Sequence, residues 1–209
     1  SNDAGLIALD KDTGRLLWKM GSDEASYASP VSARIDGEVA LVFFTRNGLV
    51  VAQPRSGEVL FQHRWRARSR NSVNAATPLV IDGTVFLSAS YGVGATVVRL
   101  RGDLVEPLWS SDEVLTNHYA TSVHKDGVLY GFHGRQEYSP SFRAVNWKTG
   151  KVLWSKDGFG GGSVIVANNR LLILRENGEL VMASASPDSY KVISRAQILQ
   201  GTVRAYAAI

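Results

Sequence analysis

Hydrophobic and polar residues alternate along most of this chain, and turn residues cut the alternation at short intervals. The segments "EVALVFF" (38–44), "TVFLSAS" (84–90), "VLYGFH" (128–133) and "RLLILR" (170–175) read as β-strands on that pattern. A two-residue turn signal precedes each one: Asp36-Gly37, Asp82-Gly83, Asp126-Gly127 and Asn168-Asn169. These residue types tolerate the positive φ that a tight hairpin requires. Another apolar segment lies before each turn, beginning near Val31, Leu79, Val123 and Val164, so the unit recurs at spacings of 48, 44 and 41 residues. No long stretch holds a 3.6-residue apolar period, and few helices are expected.

A third strand then leads into a recurrent phrase. "ALDKDTGRLLW" (8–18) returns as "AVNWKTGKVLW" (144–154) and, more loosely, as "VAQPRSGEVLF" (51–61). Thr-Gly or Ser56-Gly57 makes the turn into a fourth strand, and an aromatic follows four residues after the Gly, at Trp18, Phe61 and Trp154. Trp109 closes the remaining unit after "RLRGDLVEPL", which carries an extra residue, and Ile193 stands at that place in the last. Four short strands per unit at this period predict an all-β fold, a β-propeller of four-stranded antiparallel blades. A sandwich also contains hairpins, but it would not repeat one phrase at blade spacing.

The pattern A-x-D-x-x-T-G-x-x-x-W resembles the tryptophan-docking motif of the pyrroloquinoline-quinone-like (PQQ-like) propeller repeats. The match is full at 8–18, and at 144–154 with Asn146 in place of Asp. That family includes quinoprotein alcohol dehydrogenases and the BamB-type scaffold lipoprotein of outer-membrane assembly. The resemblance implies a ring of seven or eight blades, of which this chain would supply about half to two-thirds. The expected division is a partial blade at 1–28, complete blades at 29–76, 77–120, 121–161 and 162–201, and the start of another at 202–209. It also assigns Trp18, Phe61, Trp109 and Trp154 to docking against neighbouring blades. Burying one Trp removes about 150 to 250 Å² from water, of the order of 4 to 6 kcal/mol.

Composition narrows the chemistry. The 209 residues are 44% hydrophobic and 20% charged, as in ordinary globular proteins. There is no Cys, which removes thiolate nucleophiles and Cys-based metal sites. The net charge of +4 permits contact with a polyanion without demanding it. No apolar run approaches the roughly 18 to 20 residues of a membrane span. The chain opens "SNDAGLIALD", which reads as the middle of an element in a longer protein whose other blades would be partners of these.

In a propeller, function gathers where loops between blades meet loops joining the second and third strands. Most loops of the second kind are minimal here, such as "TRNG" (45–48) and "RENG" (175–178). "SYGVGA" (90–95) is glycine-rich, and "FHGRQEYSPSF" (132–142) is long. With the blade-linking "SSDEVLTNHYA" (110–120), the long loop brings Asn117, His118, Tyr119, His133, Arg135, Glu137 and Tyr138 towards one rim. Long loops in a regular array are frequently functional, so these seven are the expected binding residues, for a protein or a polar small molecule. Two His there would make recognition pH-dependent between about pH 5 and 7.

Other signals point elsewhere. His118 and His124 lack metal-ligand spacing, and neither a zinc-protease nor an EF-hand pattern occurs, so no metal is expected. No nucleophile elbow is present, which leaves no catalytic residue to name. "GFGGGS" (158–163) precedes no helix and reads as a tight passage between blades, not as a phosphate cradle. Arg64, Arg66, Arg68 and Arg70 alternate with one interleaved Trp. On an extended segment they would face one way, but nucleic acid is not the expected partner. The leading expectation is a non-enzymatic binding or protein-interaction scaffold, periplasmic or otherwise extracytoplasmic, without a cofactor. The alternative is part of a quinoprotein dehydrogenase holding PQQ with calcium, although the family's adjacent Cys pair is absent. A third reading is an enzyme of other chemistry using the 110–142 loops.

Overall fold

The computed structural model describes residues 4–67, 69, 72 and 74–207. β1 (Leu6–Leu9) and β2 (Leu16–Met20) form a two-stranded ladder, and four meandering four-stranded antiparallel sheets follow. The first sheet holds β3 (Val31–Ile35), β4 (Glu38–Phe44), β5 (Gly48–Ala52) and β6 (Val59–Arg64). The second holds β7 (Leu79–Ile81), β8 (Thr84–Ala89), β9 (Gly94–Arg101) and β10 (Leu104–Ser111). The third holds β11 (Val123–Lys125), β12 (Val128–His133), β13 (Ser141–Asn146) and β14 (Val152–Lys156). The fourth holds β15 (Gly162–Ala167), β16 (Arg170–Arg175), β17 (Glu179–Ser184) and β18 (Val192–Gln197). The only helical element among the described residues is a 3-10 turn at Gln136–Tyr138.

The hairpin between the first two strands of each sheet owes its form to its turn residues. Asp36, Asp82 and Asp126 take φ of 50°, 47° and 48°, each followed by a left-handed Gly. Asn168 and Asn169 take 45° and 62° in the last sheet. Two successive left-handed residues match the twist of the strands they join.

Three apolar clusters are the three interfaces between successive sheets. Val42, Leu49, Val51 and Phe61 meet Val85, Leu87 and Leu100 between the first and second. Phe86, Val97, Leu129, Val145 and Trp147 pack the second against the third. Phe142, Ala144, Ile173 and Val181 pack the third against the fourth. The alternation along β8 explains the arrangement: Val85 and Leu87 face one neighbour while Phe86 faces the other. A sheet buried on both faces needs apolar residues at consecutive positions, and all six residues of β8 are buried.

Each position of the recurrent phrase has a mechanical role. Asp10 Oδ1 accepts the Thr13 N–H at 2.9 Å, Gln53 Oε1 accepts the Ser56 N–H at 2.8 Å, and Asn146 Oδ1 accepts the Thr149 N–H at 3.0 Å. The third position therefore needs a side-chain acceptor to close the turn. Ala8 and Ala144 lie directly across the ladder from Trp18 and Trp154. The Gly serves the previous sheet. Trp18 donates its indole N–H to Pro54 O at 2.9 Å, and Trp109 donates to Trp147 O at 2.7 Å. A Cβ on Gly57 or Gly150 would come within 2.8 or 2.6 Å of those indole rings. Trp154 makes the same kind of bond to Ser186 O at 2.9 Å, with Tyr190 beside its ring. Phe61 has no N–H to give and is held by apolar packing alone.

One expected element differs. "TVRAYAAI" (202–209) was expected to begin another blade, but residues 202–207 form no strand, and 208 and 209 lie outside the described residues. A strand requires a neighbour with which to exchange ladder hydrogen bonds. This segment instead bonds singly across the rim, through Val203 N to Glu176 O at 2.8 Å and through the Tyr206 hydroxyl, which accepts the Thr121 N–H. Among the described residues no helix is long and apolar enough to cross a membrane.

Candidate functional site

The long loop between β12 and β13 is fastened to the 112–122 linker before it presents any side chain. Asn117 pairs with Gly134 in a parallel bridge. Its amide donates to Ala120 O at 2.7 Å, and its backbone N–H donates to Ser88 Oγ at 2.8 Å. Asn117 is wholly buried. It staples two blades together and does not reach the surface, which corrects its expected place among the binding residues.

His133 is corrected for a related reason. It ends β12, and its Nδ1 accepts the Thr116 N–H at 3.2 Å. Burial, followed by the nearby positive charge of Arg143, pushes its pKa down to about 4. The ring is a neutral acceptor inside the scaffold and does not titrate between pH 5 and 7.

The other five expected residues come together, joined by four that sequence reasoning missed. His118 lies between the Tyr91 hydroxyl, 2.8 Å from its Nε2, and Gln136 Oε1, hydrogen-bonded to its Nδ1. Because an amide oxygen only accepts, Nδ1 carries the proton in this arrangement and Tyr91 donates to Nε2. Arg135 pairs with Glu137 at 2.9 Å, and its guanidinium lies 4.9 Å from the Tyr91 ring centre and 5.7 Å from that of Tyr138. Glu137's own backbone N–H, then Arg135, hold its carboxyl below the usual range. Tyr119 donates its hydroxyl to Glu176, which also takes Arg204 at 3.1 Å. Burial first, then Glu176, pushes the Tyr119 phenol up.

Tyr91 belonged to a loop marked only for its glycines, and its left-handed φ of 67° is a turn signature that the glycines masked. Gln136 lay within the long loop. Glu176 came from a turn that looked minimal, and Arg204 from the segment read as a strand. The space between His118, Tyr119, Phe132, Gln136, Pro140 and Gly161 is only about 10 Å³. Tyr138, outside that hollow, is 77% exposed.

Two other sequence signals, the glycines at 158–163 and the basic run, have local outcomes. Gly161 and Gly162 pass so close to Glu176 and to Leu174 O that a Cβ would fall within 2.8 and 2.5 Å of them. Tight passage explains those glycines. In the basic run, β6 ends at Arg64, and Arg66 donates to Asn47 Oδ1 at 2.6 Å. Arg68 and Arg70 lie outside the described residues.

Four-stranded blades stacked face to face, with loops gathered on one rim, define a segment of a β-propeller. A family model described as outer membrane protein assembly factor BamB matches residues 1–138, and the chain belongs to that family of PQQ-like propellers. BamB from Moraxella catarrhalis is similar at 14% identity and a TM-score of 0.73, covering 97% of this chain and 61% of that one. Quinohemoprotein alcohol dehydrogenase from Comamonas testosteroni is similar at 15% identity and a TM-score of 0.67, covering 92% and 40%. Saccharomyces cerevisiae Sqt1 is similar at 12% identity and a TM-score of 0.65, covering 88% and 53%. The chain thus spans less than two thirds of each of these proteins. No curated protein matches it.

Proposed function

We propose that this chain is part of a non-enzymatic, extracytoplasmic propeller scaffold that holds a protein partner against the rim of Tyr91, His118, Tyr119, Arg135, Glu137 and Tyr138. The observation that carries this reading is the rim's shape together with its chemistry. A depression of about 10 Å³ admits roughly one water, so a small polar molecule finds no enclosure there. A protein surface needs none, and exposed Tyr and Arg side chains are the anchors that such contacts favour. The family description, outer membrane protein assembly factor, supports a partner drawn from an assembly of that kind and a periplasmic place for the contact.

The alternative, part of a PQQ-dependent dehydrogenase, draws on the likeness to the quinohemoprotein. Calcium takes about six to eight oxygen ligands. Among the described residues no group of three or more His, Cys, Asp or Glu is placed to hold a metal ion. That observation favours the scaffold reading over the dehydrogenase one.

A photoreactive amino acid at Tyr138, irradiated in cells, should give a discrete adduct with an envelope protein. The same residue at Tyr27, which is 75% exposed on the linker before the first four-stranded sheet, should not. Identical adduct patterns from both positions, or none from Tyr138, would sink the proposal.

A further inference from the structure

The opposite end of the blades, where the first-to-second and third-to-fourth strand turns lie, has a different form. Between the second and third sheets it opens into a cavity of about 630 Å³. That volume falls within the roughly 300 to 1,000 Å³ of small-molecule sites. Ile81, Leu108 and Trp147 give it apolar walls, and Arg99, Lys148 and Asp82 stand at its margin.

The cavity is preformed, because bonds between the two sheets fix its walls. Trp147 donates its indole N–H to Thr84 Oγ1 at 3.1 Å, while its carbonyl takes the Trp109 indole at 2.7 Å. Phe86 meets both rings at 6.2 Å. His124 packs edge-on to Trp147 at 5.0 Å and accepts the Gly127 N–H at 3.1 Å through Nε2. A neutral ring held in this way keeps its proton on Nδ1, which makes it a donor.

Trp147 is peculiar to this unit. The same place in the phrase is Lys11 in the first copy and Pro54 in the second. The corresponding groove between the first and second sheets, about 530 Å³, shares Asp82 and Arg99 but is lined chiefly by charged and turn residues. It has no aromatic wall. A gap thus opens at both of these interfaces, and of the two only the 630 Å³ cavity has an apolar floor beneath two cations.

The cations are available. Arg99 reaches Glu106 only at 3.6 Å, through one nitrogen of an exposed pair, and such a pair contributes little. Lys148 Nζ makes no ion pair among the described residues. Arg99 and Lys148 stand at the margin with Asp82, and Glu106 lies 3.6 Å from Arg99, so the carboxylates disfavour a ligand carrying more than one negative charge.

We propose that this cavity binds a small organic anion, its charged end at Arg99 and Lys148 and its apolar or aromatic body against Ile81, Leu108 and Trp147. A carboxylate and a phosphate monoester share that chemistry. Planar guanidinium matches both, and apolar walls hold the body.

The test is an amide-detected NMR titration of the chain with phenylacetate, phenyl phosphate and the neutral 2-phenylethanol. At least one anion should shift the Trp147 indole and Gly127 amide signals saturably below about 10 mM. Tighter binding of phenylacetate identifies a carboxylate site, and tighter binding of phenyl phosphate a phosphate site. Arg99→Gln or Lys148→Gln should weaken the better anion about tenfold or more. Both residues are exposed, and an unchanged amide spectrum confirms that each variant is folded. The proposal is overturned if neither anion shifts those signals, if 2-phenylethanol binds equally well, or if folded variants bind as the parent does.

Discussion

The two ends of the blade array solve opposite problems with the same strands. At the rim, loops from two blades meet around a hollow of about 10 Å³, and many of their polar side chains bond to one another. At the turn end, two-residue hairpins are too short to cover anything, and a cavity of about 630 Å³ remains between blades. The rim offers an array of Tyr, Arg and Glu, whereas the turn end offers depth with an apolar floor. Loop length decides between a surface suited to a protein and a hollow suited to a small molecule.

The sharpest break in this comparison is a change at the turn end that leaves the rim untouched. Gly150 and Gly14 have the same φ of 69°, but a Cβ on Gly150 would lie 2.6 Å from the Trp109 ring, and one on Gly14 meets nothing within 4 Å. Gly14→Ala should cost about 1 to 2 kcal/mol, the left-handed penalty alone. Gly150→Ala should cost about 3 to 5 kcal/mol, because strain and overpacking add. Chemical denaturation of both variants measures the difference. Equal losses would mean that the indole can retreat and that Gly150 does not seat it.

The features most legible in the sequence were those enforced by local geometry. Asp-Gly and Asn-Asn turns, the acceptor at Asp10 or Asn146, and alternation along each strand all act within a few residues, so one chain displays them plainly. The rim was legible only in outline. Asn117 and His133 looked like loop residues free to bind, but their partners Ser88 and Thr116 lie 29 and 17 residues away. Tyr119 meets Glu176 across 57 residues, and nothing local announces such a pairing. Trp147 was in plain view, standing where Lys11 and Pro54 stand in the other copies. Its meaning required knowing that the next wall of the cavity comes from β7 to β10.

A smaller effect separates the two ends through pH. His133 has a pKa lowered from 6.5 to about 4, so the folded state favours the neutral ring and the unfolded chain binds the extra proton first. Its contribution is fully present above pH 6.5 and declines as the pH falls from about 6.5 towards 4. Burial also lowers the pKa values of His63 and His124, so the parent's slope in this window is shared. His133→Gln should therefore flatten part of the fall in denaturation midpoint between pH 6.5 and 4, and crosslinking at Tyr138 should be unchanged at pH 7. An unaltered slope would show that Thr116 holds the charged ring as well as the neutral one.

The smallest expected effect on stability belongs to the pair at the centre of the rim. Arg135 and Glu137 face solvent and bond chiefly to each other, at 2.9 Å. Removing both leaves neither one as an unpaired charge, which is the usual source of loss when one partner of a pair is deleted. What the pair does lose is the stack of Arg135 over Tyr91 and Tyr138, a contact available to an incoming protein as much as to the loop. Arg135→Ala with Glu137→Ala should leave the denaturation midpoint where it was and lower the Tyr138 adduct yield severalfold. The 3-10 turn between them retains its own backbone bonds, Tyr138 N to Arg135 O at 3.0 Å and Ser139 N to Gln136 O at 3.2 Å, so the loop keeps its course without the side chains. A lowered midpoint with an undiminished adduct would reverse the assignment: the pair would be a fastening of the loop, and the rim's contact would rest on Tyr119 and His118 instead.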